Sequence, residues 1–300
     1  MKNENLFGRL AVATAILLST TAIAQTAEWA TSSSMRYVDK SQDRKIVIAA
    51  ANMRTGVSLE RLTLLSGEGN TDKKITASLL AGATTLLNMK AGTGVEIDFA
   101  SREPINEHLK QEDAEKIAAE ALDLLIARLK LAGLDVQGPQ AVAAAEFYKT
   151  VSGEEKTTTD AEVKKGGLFK TGYFYGMYRT PVAGLKYRPT SLMGAFGGNN
   201  DFYGKAREAA KTGTALELNL GFYNDKKVFG VFNLSVSLYG RHANASSDSL
   251  LLSSTLKNPT ALTVPSGGKD AYAYWTAMKP QFETLFDALA KQIVDGYAES

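Results

Sequence analysis

The chain has 300 residues, with 34 Lys and Arg against 32 Asp and Glu, 44% hydrophobic residues, two His and no Cys. This near-neutral balance, with bases dispersed rather than striped, argues against nucleic acid as a partner. The absence of thiols excludes a lipid-modified lipoprotein, a disulfide framework and thiolate metal sites, so the fold must rest on its core.

Residues 1–24 carry the clearest address. Lys2 and Arg9 precede an apolar or small-residue run from Leu10 to Thr21, and Ala22-Ile23-Ala24 ends it. Small residues at Ala22 and Ala24 suit signal-peptide cleavage before Gln25. The run is shorter than the ~20 residues that cross a hydrocarbon core. No later run reaches that length, so the mature chain is expected to lack a transmembrane segment and to be periplasmic or secreted. Residues 25–44 are polar, with Thr31-Ser32-Ser33-Ser34, and read as a flexible leader. Residues 45–300 read as a single domain, since no proline-rich or acidic linker divides them.

Within that domain, Lys45-Ile46-Val47-Ile48-Ala49-Ala50-Ala51 is a continuous apolar run with β-branched residues, as in a buried central strand. Leu59, Leu62, Leu64 and Leu65 suggest a second strand. After a turn at Gly67-Glu68-Gly69-Asn70, the spacing of Ile75, Leu79, Leu80, Ala83, Leu86 and Leu87 predicts a helix. Val95, Ile97 and Phe99 then alternate with Glu96 and Asp98 as a half-buried strand.

The stretch 112–132 is the strongest helix signal. Ile117, Ala118, Ala121, Leu122, Leu125, Leu129 and Ala132 share one face, opposite Lys116, Glu120, Asp123 and Lys130. Gly133 sits where a left-handed cap is needed. Leu134-Asp135-Val136 follows as a short strand, and Pro139 opens the next helix. Residues 152–165 read as an exposed loop.

Residues 166–204 change character, scattering Tyr173, Phe174, Tyr175, Tyr178, Tyr187, Phe196, Phe202 and Tyr203 among glycines without a regular period. Long irregular insertions are commonly functional or mobile. Tyr173, Tyr175 and Tyr178 are therefore the candidate binding residues for a protein or an envelope surface, against the alternative of a satellite core. A short helix is expected at 206–211.

The alternation of Leu216, Leu218, Leu220 and Phe222, then of Phe232, Leu234, Val236 and Leu238, predicts two antiparallel strands. If both apolar sets face one side, opposed numbers sum to an even total. A turn centred near Asp225 would oppose Leu218 to Phe232 and Glu217 to Asn233. Leu250, Leu252 and Leu256 supply a third strand of this meander. At the end, Phe282, Leu285, Phe286, Leu289 and Ile293 form a helical stripe. Pro280 is expected near its first turn, Gly296 at its close, and Tyr272, Tyr274 and Trp275 in a preceding turn. The fold class is α/β or α+β: a mixed sheet with a carboxy-terminal antiparallel meander, packed by amphipathic helices in one layered domain.

Chemistry is sparse. His108 and His242 stand apart, and no HExxH or GxSxG segment occurs. Gly67 to Lys74 matches neither phosphate-loop spacing, and Gly197-Gly198-Asn199-Asn200-Asp201 lacks the spaced acids of a calcium loop. No metal and no cofactor are expected. Glu96 and Asp98 are the only catalytic candidates, about 7 Å apart on one side of a strand, a separation suited to acid–base work on a glycosidic bond.

Ile46-Val47-Ile48, the helix ending Leu131-Ala132-Gly133-Leu134-Asp135-Val136, Leu234 to Tyr239 and Ser249 to Leu252 follow one another in a recognisable order. In that order the chain resembles exported envelope α/β domains of the CsgG and TolB amino-terminal type. The resemblance implies an envelope assembly or transport accessory and no catalytic residues. The expectation is thus an exported, non-catalytic periplasmic or envelope protein that binds or assembles partners, with an oligomer left open. The alternative is a secreted hydrolase using paired carboxylates.

Overall fold

A computed structural model describes residues 28–38, 44–56, 109–159, 177–188, 200–224, 227–243, 248–267 and 270–299. At its centre is strand β2 (Ile46–Gly56), buried along almost its whole length. This is what a continuous apolar run without polar alternation dictates: both faces must be covered. On one side β2 pairs in parallel with β6 (Thr214–Asn224). On the other side it pairs in parallel with the short β3 (Val136–Gln137) near its start, and antiparallel with β5 (Met177–Thr180) near its end. The two-residue β4 (Thr158–Thr159) flanks β5.

The carboxy-terminal meander extends the other half of the sheet. β6, β7 (Val228–Arg241) and β8 (Asp248–Leu256) pair antiparallel in sequence, and β1 (Trp29–Ser33) closes that edge against β8. The order is β1-β8-β7-β6-β2-β5-β4, with β9 (Thr263–Pro265) added to the start of β7. The fold is therefore the mixed sheet with a terminal meander that the alternation implied.

Two long helices cover one face. Helix α1 (Gln111–Leu131) buries Ala114, Ile117, Ala118, Ala121, Leu122, Leu125 and Leu129, the stripe read from sequence with Ala114 added and without Ala132, which is exposed just past the helix end. It ends as expected, with Gly133 at φ +88° and the Leu134 amide donating back to the Leu129 carbonyl. Two single-turn helices, α2 (Gln140–Ala143) and α3 (Glu146–Lys149), follow. Helix α4 (Asn200–Ala210) lies on the opposite face, and α5 (Ala271–Glu299) beside α1. The faces are identified by β6 itself: Thr214 hydrogen-bonds Tyr297 of α5, and Glu217, three residues on, accepts from Tyr203 of α4.

Several expectations are corrected. The segment read as a leader contains β1, held by its ladder to β8 and by the Trp29 indole N–H donating to the Leu285 carbonyl of α5 at 2.9 Å. The β6–β7 register is displaced by four: Leu218 opposes Val236 and Leu220 opposes Leu234. Even sums hold there, but a bulge after Gly221 leaves Phe232 as an extra residue, and Phe222 then opposes Val231. The Phe232 ring lies over Gly221, where a Cβ would come within 2.3 Å of it. Helix α5 begins at Ala271, so Tyr272, Tyr274 and Trp275 belong to it and Pro280 is internal. Gly296 does not end the helix: it lets the side chain of Met35 approach, at 3.0 Å from where a Cβ would sit. The strand expected at 59–65, the helix from 71 and the strand at 95–99 lie outside the described residues.

Candidate functional site

Alternate residues of β2, β6 and β7 turn away from α1 and α5 toward α4, and here the polar side chains gather. Asn52 stands opposite Asn219, and Glu217 opposite Ser237. Glu217 is 6% exposed, in the middle of the sheet. A carboxylate there must be satisfied by protein donors, because stripping it of water is costly. Tyr203 of α4 donates to Oε2 at 2.6 Å, and Asn52 donates through Nδ2 to Oε1 at 3.2 Å. The Tyr239 hydroxyl reaches Oε2 at 3.5 Å. Asn52 also donates to Asn219 Oδ1 at 2.9 Å and accepts the Arg188 main-chain N–H at 2.9 Å. Every polar atom of the Asn52 amide is thereby engaged.

Aromatic rings wall this network. Tyr203 and Tyr239 stack at 3.7 Å between centroids and 4° between planes, and the Arg188 guanidinium lies 3.7 Å over Phe202. Burial, reinforced by the Glu217 charge, holds the Tyr203 phenol well above its ordinary range and pushes Tyr239 up to about 12. Both phenols stay protonated at neutral pH, so they serve as donors and neither is a ready base or nucleophile. A second tie fixes α4 to the sheet: Arg207 forks onto the buried Asp248 of β8, at 2.9 Å from Nε to Oδ2 and 3.2 Å from Nη2 to Oδ1.

On the helix face, Glu120 of α1 takes the Trp275 indole N–H at 3.1 Å and also contacts Tyr272 and Lys279 of α5. Burial favours its neutral form, yet these three donors together hold its carboxyl below the usual range. The cluster joins two helices and is partly solvated.

Glu96, Asp98, His108, Tyr173 and Tyr175 lie outside the described residues. Tyr178 is 3% exposed in β5, opposite Thr55 of β2, with burial raising its phenol pKa. Tyr187, Phe202 and Tyr203, read as part of an irregular insertion, are likewise buried. His242 is brought to Ser34, with Nε2 3.2 Å from Oγ. The Ser34 hydroxyl is also within reach of the Leu250 and Leu251 carbonyls, at 3.1 and 3.2 Å, and among the described residues no carboxylate orients the imidazole. A nucleophile–base–orienter constellation is not assembled there. Among the described residues no group of three or more His, Cys, Asp or Glu is placed to hold a metal ion.

Sequence reading missed Asn52, Tyr203, Glu217 and Tyr239 as one cluster. The available signal was Asn52 inside an apolar strand run, which asks for a buried partner. No helix among the described residues is long and apolar enough to cross a membrane. No family model matches the chain, and neither a curated protein nor a solved structure matches it.

Proposed function

We propose that this protein is an exported, non-catalytic component of the cell envelope, periplasmic or secreted, that binds or assembles with a protein or envelope-surface partner. The observation that carries the non-catalytic half is the state of Glu217. Both its oxygens are taken by fixed donors between a helix and the sheet, as in a packing element and unlike an acid waiting for substrate. The cleavage pattern at Ala22 and Ala24 supports export, and the order of elements shared with CsgG- and TolB-type envelope domains supports an accessory role.

Mass spectrometry of the protein recovered from cell fractions tests this reading. The expected result is a chain beginning at Gln25, recovered outside the cytoplasm. An intact Met1–Ala24 segment on the exported protein, or purely cytoplasmic recovery, would overturn the export half. Turnover of ester or glycoside substrates that Glu217→Gln abolishes while the fold survives would overturn the non-catalytic half.

A further inference from the structure

Among the described residues, the sheet ends on one margin at β4. At the other, β1 runs Trp29-Ala30-Thr31-Ser32-Ser33 with no charge, proline or bulge, and all but Trp29 are exposed. Its hydrogen-bonding parity can be read from its flanks. The Lys257 amide donates to the Glu28 carbonyl and the Ser34 amide to the Leu251 carbonyl. Both pairs fall in the register that sets Ala30 against Thr255 and Ser32 against Ser253. Even-numbered residues therefore exchange main-chain bonds with β8, and Trp29, Thr31 and Ser33 direct their N–H and C=O groups outward.

We infer that β1 is a self-association edge, on which a second copy of this chain pairs antiparallel about a two-fold axis through Thr31. The three outward residues are spaced symmetrically about Thr31. Trp29 then meets the partner's Ser33, Thr31 meets the partner's Thr31, and all three outward donors and acceptors of each strand are satisfied. An isologous contact needs this self-complementarity. The end charges agree. Glu28, exposed and only loosely paired to Lys257 at 3.7 Å, comes beside the start of the other copy's turn that carries the exposed Arg36. A foreign peptide strand offers the same main-chain groups but nothing that requires the symmetry. The inference goes beyond the envelope reading and stands without it.

Sedimentation of the purified full-length chain across concentration is the test, with two variants. Thr31→Pro removes an outward donor at the axis and spares the main-chain ladder to β8, as proline on an edge strand can, while also losing the Thr31 hydroxyl's bonds to Ser254 and Gln292. In the double variant Ala30→Cys, Ser32→Cys, residue 30 opposes residue 32 of the other copy as a narrow pair. Their Cα atoms would be about 4.5 Å apart, within disulfide reach, in a chain with no other cysteine. The expected results are a reversible dimer, a dissociation constant raised about tenfold or more by Thr31→Pro, and a disulfide-linked dimer of the double-cysteine variant on oxidation. If Thr31→Pro fails to fold by circular dichroism, the cysteine variant decides. A monomer at all concentrations, or a wild-type dimer that the cysteine variant does not link, would overturn the inference. Neither outcome bears on where the protein is exported.

Discussion

The two faces of the sheet are made from alternate residues of the same strands, yet they hold their helices by different means. Toward α1 and α5, Leu216, Leu218, Leu220 and Phe222 of β6 meet an apolar layer in which Phe222, Trp275 and Phe282 pack with ring centroids 5.2–5.6 Å apart. Toward α4, the intervening Glu217 and Asn219 meet Asn52, Tyr203 and Tyr239 through hydrogen bonds, with Arg207 and Asp248 as a second clasp. The apolar face gains from every methylene it buries and tolerates small shifts in alignment. The polar face gains only when each donor finds its acceptor, so it fixes where α4 sits more narrowly than it strengthens the fold.

That contrast can be strained from both sides. On the polar face, Arg207→Met should cost about 3–5 kcal/mol of unfolding free energy, because Asp248 is left buried without its cation. Urea denaturation measures it, and a cost below about 1 kcal/mol, the range of surface positions, would make the clasp incidental. On the apolar face, Leu125→Ala in α1 should cost about 2–5 kcal/mol, the usual loss for a truncated buried leucine. The residue is fully buried, so a small value would mean that α1 is not part of the core.

The smallest effect is in alkali. A folded-state tyrosine pKa raised above the unfolded value of about 10 means that the unfolded chain releases its proton first. The stability contributed by Tyr239 is therefore complete below pH ~10 and is lost as pH climbs toward the folded value of about 12. Absorbance titration should show Tyr239 and Tyr203 ionising after the other tyrosines, and with them once the chain is unfolded in urea. Ionisation together with the others in the native protein would mean that the layer under α4 is open to water.

The apolar face was legible in the sequence and the polar face was not, for a physical reason. Period-two alternation marks which residues avoid water, and Leu216 to Phe222 announced their face. Glu217 and Asn219 read like solvent-facing residues because nothing local distinguishes a paired buried polar group from a hydrated one. Tyr203, the donor that makes Glu217 burial tolerable, follows a glycine-rich stretch that hides the start of α4 at Asn200. Strand β1 was missed because Thr and Ser suit a strand or a leader equally, and only its pairing with β8 decides. The meander's register was missed mainly because Asn224 opposes Phe229, a hairpin centred beyond Asp225, and Phe232 then adds one more residue that no parity argument foresees.

The most direct test of the account is the stability of Glu217→Ala. If this carboxylate is the polar keystone between α4 and the sheet, its removal strands the Tyr203 hydroxyl and an Asn52 donor. The variant should then lose at least about 2 kcal/mol in chemical denaturation, with α4 amides exchanging faster than those of α5. A variant as stable as the parent, or more stable, is what removal of a strained functional carboxylate gives. That result would contradict the assignment of Glu217 to structure and return it to chemistry.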